Sequence, residues 1–161
     1  MTKVVVQINK DFVGIEVNLS KLKRLVRSIC SRFGQSDIDK ECSKFDEAVH
    51  YEIGIAIVDE SEIKTANKKF LNRNVSTDCL SFDLSDDANK KTFELIVNAE
   101  KALKEAALRG HSPEAELALY VTHGLLHNLG FDDNTSSRAK KMHDTEDKIL
   151  QQHGYGFVYN S

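Results

Sequence analysis

The stretch from Ser112 to Asp133 constrains this chain more than any other, because it predicts a helix with marked ends and two histidines on one face. Ser112 can cap the free amides of a first turn, and Pro113 suits the first helical position, where its missing N–H costs no hydrogen bond. Leu117, Ala118, Val121 and Leu125 then recur at helical spacing until Gly130 ends the run. His123 and His127 are four residues apart, which on a helix sets their β-carbons ~5–6 Å from each other. Both imidazoles can therefore reach one ion. Gly130 can take the left-handed conformation that turns the chain back. Asp133, six residues after His127, then reaches the same ion.

Two neutral imidazoles and one carboxylate suit zinc, or a neighbouring transition metal such as nickel. Three protein ligands leave one position open for water, which marks a catalytic site. The spacing also matches the metzincin peptidase pattern HExxHxxGxxH with two differences: Gly124 replaces the glutamate that serves as general base, and Asp133 replaces the third histidine. Ordinary peptidase chemistry is not expected. His143, on the last predicted helix, is the backup third ligand, while His50, His111 and His153 read as surface or hydrogen-bonded residues.

Around this helix the chain alternates strand and helix patterns. Lys3 to Ile8 is β-branched and predicts a strand. Leu19, Leu22, Leu25, Val26, Ile29 and Phe33 recur at helical spacing, with Lys21, Lys23, Arg24 and Arg27 on the other faces and Gly34 at the C-terminal cap. Gln35 to Asp46 reads as a loop, Val49 to Val58 as a strand, and Asp59 with Glu62 as the capped start of a helix through Phe70. Strand patterns at Cys79 to Leu84 and Phe93 to Val97 follow, then a helix from Ala99 to Arg109 closed by Gly110. A last helix, capped near Thr135 or Ser136, runs to about Gln152. The expected fold class is α/β (α+β): one small domain over residues 1–161, a short mixed β-sheet, about five helices, and the metal site at the end of a central helix.

The 161 residues suffice to bury a core without disulfides. Cys30, Cys42 and Cys79 are odd in number and form no CxxC pair, so they are read as reduced, mostly buried thiols. The N-terminus carries Asp11 and Glu16 and no long apolar run, which predicts a cytoplasmic protein without membrane association. A net charge of −3 argues against a globally electrostatic nucleic-acid binder but leaves room for a local basic surface.

The stretch His123-Gly-Leu-Leu-His127-Asn-Leu-Gly130-Phe-Asp-Asp133 resembles the HGxLHLxGxDH signature of the YbeY endoribonucleases, also called rRNA maturation factors. The family's PTDVLSFP segment is echoed by Ser76 to Asp83, its LGDIVIS strand by Phe93 to Asn98, and its GHS by Gly110, His111 and Ser112. The likeness spans roughly residues 49–152, in order. It implies an α/β metalloprotein, with zinc as the usual metal, that cleaves single-stranded RNA in small-subunit rRNA 3′-end processing and ribosome quality control. RNA, the ribosome or ribosome-assembly proteins are the implied partners, and no DNA is expected.

The resemblance carries His123 and His127 over as ligands and sets Asp133 at the third histidine's position. The family's arginine before the TDVLSF segment falls at Leu71, with Arg73 two residues on as its substitute for stabilising charge. Lys64, Lys68 and Lys69 are the expected RNA contacts, with Lys21, Lys23, Arg24 and Arg27 as a second set. Glu94 and Asp78 are read as supporting the fold, or as orienting a ligand. No general base is evident, so a non-catalytic ribosome-assembly or RNA-binding factor with a structural metal is the alternative.

Overall fold

The computed structural model describes residues 2–34 and 49–156. Its elements, in chain order, are β1 (Lys3–Lys10), α1 (Leu19–Phe33), β2 (His50–Val58), α2 (Glu60–Leu71), β3 (Cys79–Asp83), β4 (Lys90–Asn98), α3 (Ala99–Arg109), α4 (Pro113–Asn128) and α5 (Ser136–Gln152). The α/β class, the mixed sheet and the five helices match the sequence reading, while the predicted loop at Gln35 to Asp46, with Cys42, lies outside the described residues.

Side-chain chemistry sets the boundaries. Asn18, Asp59, Asn98, Ser112 and Thr135 each accept a backbone N–H of the first turn of their helix, from Lys21, Glu62, Lys101, Ala115 and Arg138 respectively. Gly34 does cap α1, but in a right-handed conformation with φ −79°, its carbonyl accepting the Tyr51 hydroxyl at 2.6 Å.

The sheet order is β1-β2-β4-β3, parallel across the first three strands and antiparallel at the β3 edge. Alternation along the strands then divides the molecule into two layers. Ile53, Ile55 and Ile57 of β2 and Phe93, Leu95 and Val97 of β4 face the main core with α1, α3, α4 and α5. Val58, Leu80, Phe82 and Ile96 face the other way, where Ile63 and Ala66 of α2 cover them.

Within the main core α4 is enclosed on nearly all sides. Every residue from Ala115 to Thr122, with Gly124, Leu125 and Leu126, is buried, because the sheet, α1, α3 and α5 all pack against it. A helix so placed is apolar all round rather than striped. Its C-terminal turn, with the two histidines, is the part that emerges from this packing. Among the described residues no helix is long and apolar enough to cross a membrane.

Candidate metal centre

The end of α4 and the turn after it build the site. Leu129 N–H closes on Leu125 O, Phe131 N–H reaches back to Leu126 O at 2.9 Å, and Gly130 has φ 102°, a conformation that side chains disfavour. That reversal brings Asp133 alongside the helix it has just left. His123, His127 and Asp133 thus place one ligand atom each within 4.8 Å of one another, and among the described residues they are the group that could hold a metal ion.

The imidazoles are fixed by their Nδ1 atoms. His123 Nδ1 lies 2.8 Å from Glu146 Oε1, and His127 Nδ1 lies 3.1 Å from the carbonyl oxygen of Phe131. A carboxylate and a carbonyl only accept hydrogen bonds, so each Nδ1 carries the proton and donates. In neutral rings each Nε2 is then a bare lone pair, and these two lone pairs face each other at 3.0 Å. Such a pair is repulsive unless a proton or a metal ion is shared between them. Asp133 Oδ2 is 3.9 Å from His127 Nε2. Donors bound ~2.0–2.1 Å from one tetrahedral ion stand about 3.3 Å apart, so the histidine pair already has the spacing of a zinc-type ion and the exposed Asp133 side chain has to move in to complete it.

Exposure rises across the group: 21% for the His123 side chain, 31% for His127 and 42% for Asp133. The site is therefore closed on the Glu146 side and open on the Asp133 side, where a water or a substrate oxygen has access. Burial acts to lower the His123 pKa, but the Glu146 hydrogen bond and charge, with Asp78 and Asp133, outweigh it and raise the value. The surroundings of His123 thus favour positive charge at this point.

Glu146 is the residue that the sequence reading missed. It is fully buried, 23 positions from the imidazole it orients, and lies on the apolar face of α5 with Met142, Ile149 and Leu150. A carboxylate at a core-facing helical position was the available signal, since an ionised side chain is kept there only with a partner.

The other expected residues are placed differently. Asp78 accepts from the Cys79 N–H at 2.7 Å and from the Thr77 hydroxyl at 3.3 Å, so it holds the entry to β3. Glu94 projects from the opposite sheet face, across from Phe82 on β3 and over Gly54. His143 is half-buried on α5, outside the ligand group, and the His111 ring is hydrogen-bonded to buried Glu116. Lys64, Lys68 and Lys69 are exposed on α2, across the sheet from the histidines, and exposed Arg73 lies in the loop that passes round the β3 edge. Cys30 is buried and its thiol is pushed up to about 12 by burial, as expected for an inert core cysteine.

Gly124 explains why the peptidase pattern is broken. A β-carbon there would lie 2.7 Å from Leu95 Cδ2 and 2.8 Å from Cys79 Sγ. The position faces the sheet, not the open side, so a glutamate would have no room and no access to a bound substrate. Gly124→Ala is expected to lower unfolding stability by about 1–3 kcal/mol through overpacking, read by urea denaturation; an unchanged midpoint would contradict the contact.

The chain is similar to known proteins over most of its length. The sequence profile described as endoribonuclease YbeY matches residues 7–154. Proteins named endoribonuclease YbeY from Caldicellulosiruptor bescii and Macrococcus caseolyticus are 32% and 30% identical, covering 94% and 89% of this chain and 98% and 94% of theirs. A Thermotoga maritima protein solved in solution shares the fold, with a TM-score of 0.54 at 22% identity over 92% of this chain and 91% of that one. The helix-borne histidine pair and its glycine turn, set in a sequence similar over almost its whole length to these relatives, place the chain in the endoribonuclease YbeY family.

Proposed function

We propose that this chain, acting as one domain over residues 1–161, is a metal-dependent endoribonuclease that cleaves single-stranded RNA. Its field of action is the maturation of small-subunit rRNA at the 3′ end and ribosome quality control, in the cytoplasm, beside the ribosome or its assembly proteins. The observation that carries the metal-dependent part is the pair of Nε2 lone pairs 3.0 Å apart with the Asp133 carboxylate beside them. Zinc is the ion we assign, with nickel as the nearest competitor, because the hard oxygen of Asp133 weakens the preference for softer ions.

Such an ion supplies polarisation of a phosphoryl oxygen and activation of a water. The chain does the remaining work. Glu146 and the Phe131 carbonyl hold both imidazoles in one tautomer, and the Gly130 turn delivers Asp133. The exposed side of His127 and Asp133 admits the RNA strand, and the core beneath His123 excludes water from the far side. Arg73, from the loop at the β3 edge, offsets negative charge that develops on the phosphate. Lys64, Lys68 and Lys69 hold the strand where it passes over that edge.

Elemental analysis of purified wild type and Asp133→Ala, with cleavage of matched single- and double-stranded RNA, tests this. The wild type should hold one metal per chain and cut only the single strand, and Asp133→Ala should bind the metal more weakly. Metal retained unchanged in the variant would remove Asp133 from the ligand set.

One observation favours a second reading. Asp78 is engaged by its own loop and Glu94 is on the other face of the sheet, so neither carboxylate is poised as a general base. A non-catalytic ribosome-assembly or RNA-binding factor with a structural metal would show stoichiometric metal and identical RNA stability with wild type and His127→Ala.

A further inference from the structure

Many of the cations that the proposed reaction leaves unused sit on two helices, α1 and α5. α1 carries Lys21, Lys23, Arg24, Arg27 and Arg32 and no acidic residue, in a chain whose Asp and Glu outnumber Lys and Arg by 25 to 22. α3 shows the usual arrangement, with Lys104 beside Glu60 and Glu100 and Arg109 beside Glu105 and Glu116. Among the described residues no carboxylate forms an ion pair with Lys23, Arg24 or Arg27. Instead Lys23 and Arg27 are four apart and Arg24 and Arg27 three apart, spacings at which like charges on a helix repel each other.

α5 is the second basic helix. Arg138, Lys140, Lys141 and Lys148 are exposed, whereas Glu146 and Asp147 are buried, so Asp144 is the exposed carboxylate of that helix. An open groove of about 420 Å³ follows Ser137, Lys140, Lys141, Asp144, Thr145 and Lys148. The C-terminal end of α5 is tied to both ends of α1: Lys21 Nζ donates to Gly154 O at 3.1 Å and Arg32 Nη1 to Gln152 Oε1 at 2.8 Å. Both also lead to the ligand loop: Phe33 at the end of α1 meets the Phe131 ring edge-on at 5.6 Å, and α5 begins three residues after Asp133.

We propose that the α1–α5 face binds the phosphate backbone of the RNA substrate outside the cleavage site and leads that strand to the ligand loop, a proposal that rests on the RNA-cleaving function above. The chemistry of the face selects a polyanion. Protein interfaces centre on buried apolar anchors, and the exposed large apolar side chain on these two helices is Leu19 alone. Of the others, Phe70, Leu71, Val75 and Leu84 lie on α2, in the loop after it and just past β3, Val5 on β1, Val13 between β1 and α1, and Leu108 on α3. Arg138 pairs with Asp132 and Lys140 with Asp144, but the cations of the face exceed these carboxylates, and a cation-rich surface without an apolar centre fits phosphates and relieves the repulsion along α1.

The test is binding of an unstructured RNA of about forty nucleotides across a salt series, with the variant Lys23→Gln/Arg24→Gln/Arg27→Gln and, separately, Lys141→Gln/Lys148→Gln. Each phosphate-contacting cation contributes about 0.7 to the slope of log affinity against log salt for a single strand, so the slope should drop by about 2 in the first variant and about 1.4 in the second. Affinity at low salt should fall at least tenfold in the first, while cleavage of a hexanucleotide stays at the wild-type rate. Slopes unchanged in both variants would overturn the proposal, as would poly-L-glutamate binding the wild type as tightly as RNA does, which would assign the face to an acidic protein. Loss of hexanucleotide cleavage equal to the loss on long RNA would also overturn it. Absence of cleavage by every form, wild type included, would defeat the enzymatic reading and leave the salt slopes to decide this one.

Discussion

His123→Ala is expected to leave the protein with almost no metal after dialysis and to reduce RNA cleavage to background. Spread over four positions, the ~10–16 kcal/mol of a zinc site gives roughly 3 kcal/mol per ligand, so losing one imidazole weakens binding at least about a hundredfold. His127→Ala should lose metal to a similar extent, yet the two variants should differ in the stability of the metal-free protein. Removing His123 strips the fully buried Glu146 carboxylate of its hydrogen-bond donor, and an orphaned buried acceptor costs about 1–3 kcal/mol, more when charged. Removing His127 frees only the Phe131 carbonyl beside a solvent-exposed turn. Thermal melts of both apoproteins should therefore place His123→Ala well below His127→Ala. Equal melting points would show that Glu146 is satisfied by something other than His123.

This difference separates what the sequence made legible from what it did not. The caps of α4, the helical spacing of the histidines and the turn at Gly130 are local properties, determined by residues within a few positions of each other, and the structure has them where the residues predict. The same holds for Asp59 and Thr135 as caps and for the order of strands and helices. Glu146 belongs to another class, because its role depends on α5 packing across α4 in one register, and only tertiary contact brings it to His123. The placing of α2 on the far face of the sheet is also tertiary. Nothing in the spacing of Lys64, Lys68 and Lys69 says which side of β3 and β4 their helix will cover. Gly124 lies between the two classes: its departure from the peptidase glutamate was visible at once, but the reason, Leu95 and Cys79 pressed against the helix at that point, required the packed sheet.

Substitutions at Glu146 are expected to separate positioning from folding. Glu146 contributes one hydrogen bond to His123 through Oε1, while Oε2 is buried with no hydrogen-bond partner among the described residues, so much of its effect is electrostatic. Partners of this kind keep a ligating imidazole in one tautomer and raise its basicity, and their loss weakens metal binding by about 10–100-fold. Glu146→Gln keeps an oxygen able to accept from Nδ1 and loses the charge; Glu146→Leu loses both. Affinity should therefore fall in the order wild type, Gln, Leu. The metal-free proteins should differ much less, because His123 can release its proton and no unpaired charge is stranded in the core. The readout is the stabilisation gained on adding metal, which follows RT ln(1 + [L]/Kd), so a 10–100-fold weaker Kd removes about 1.4–2.7 kcal/mol of it at saturating metal. If Glu146→Leu instead lowers the metal-free and metal-loaded melting points by the same amount, Glu146 is a packing residue of α5 and contributes nothing to the ion.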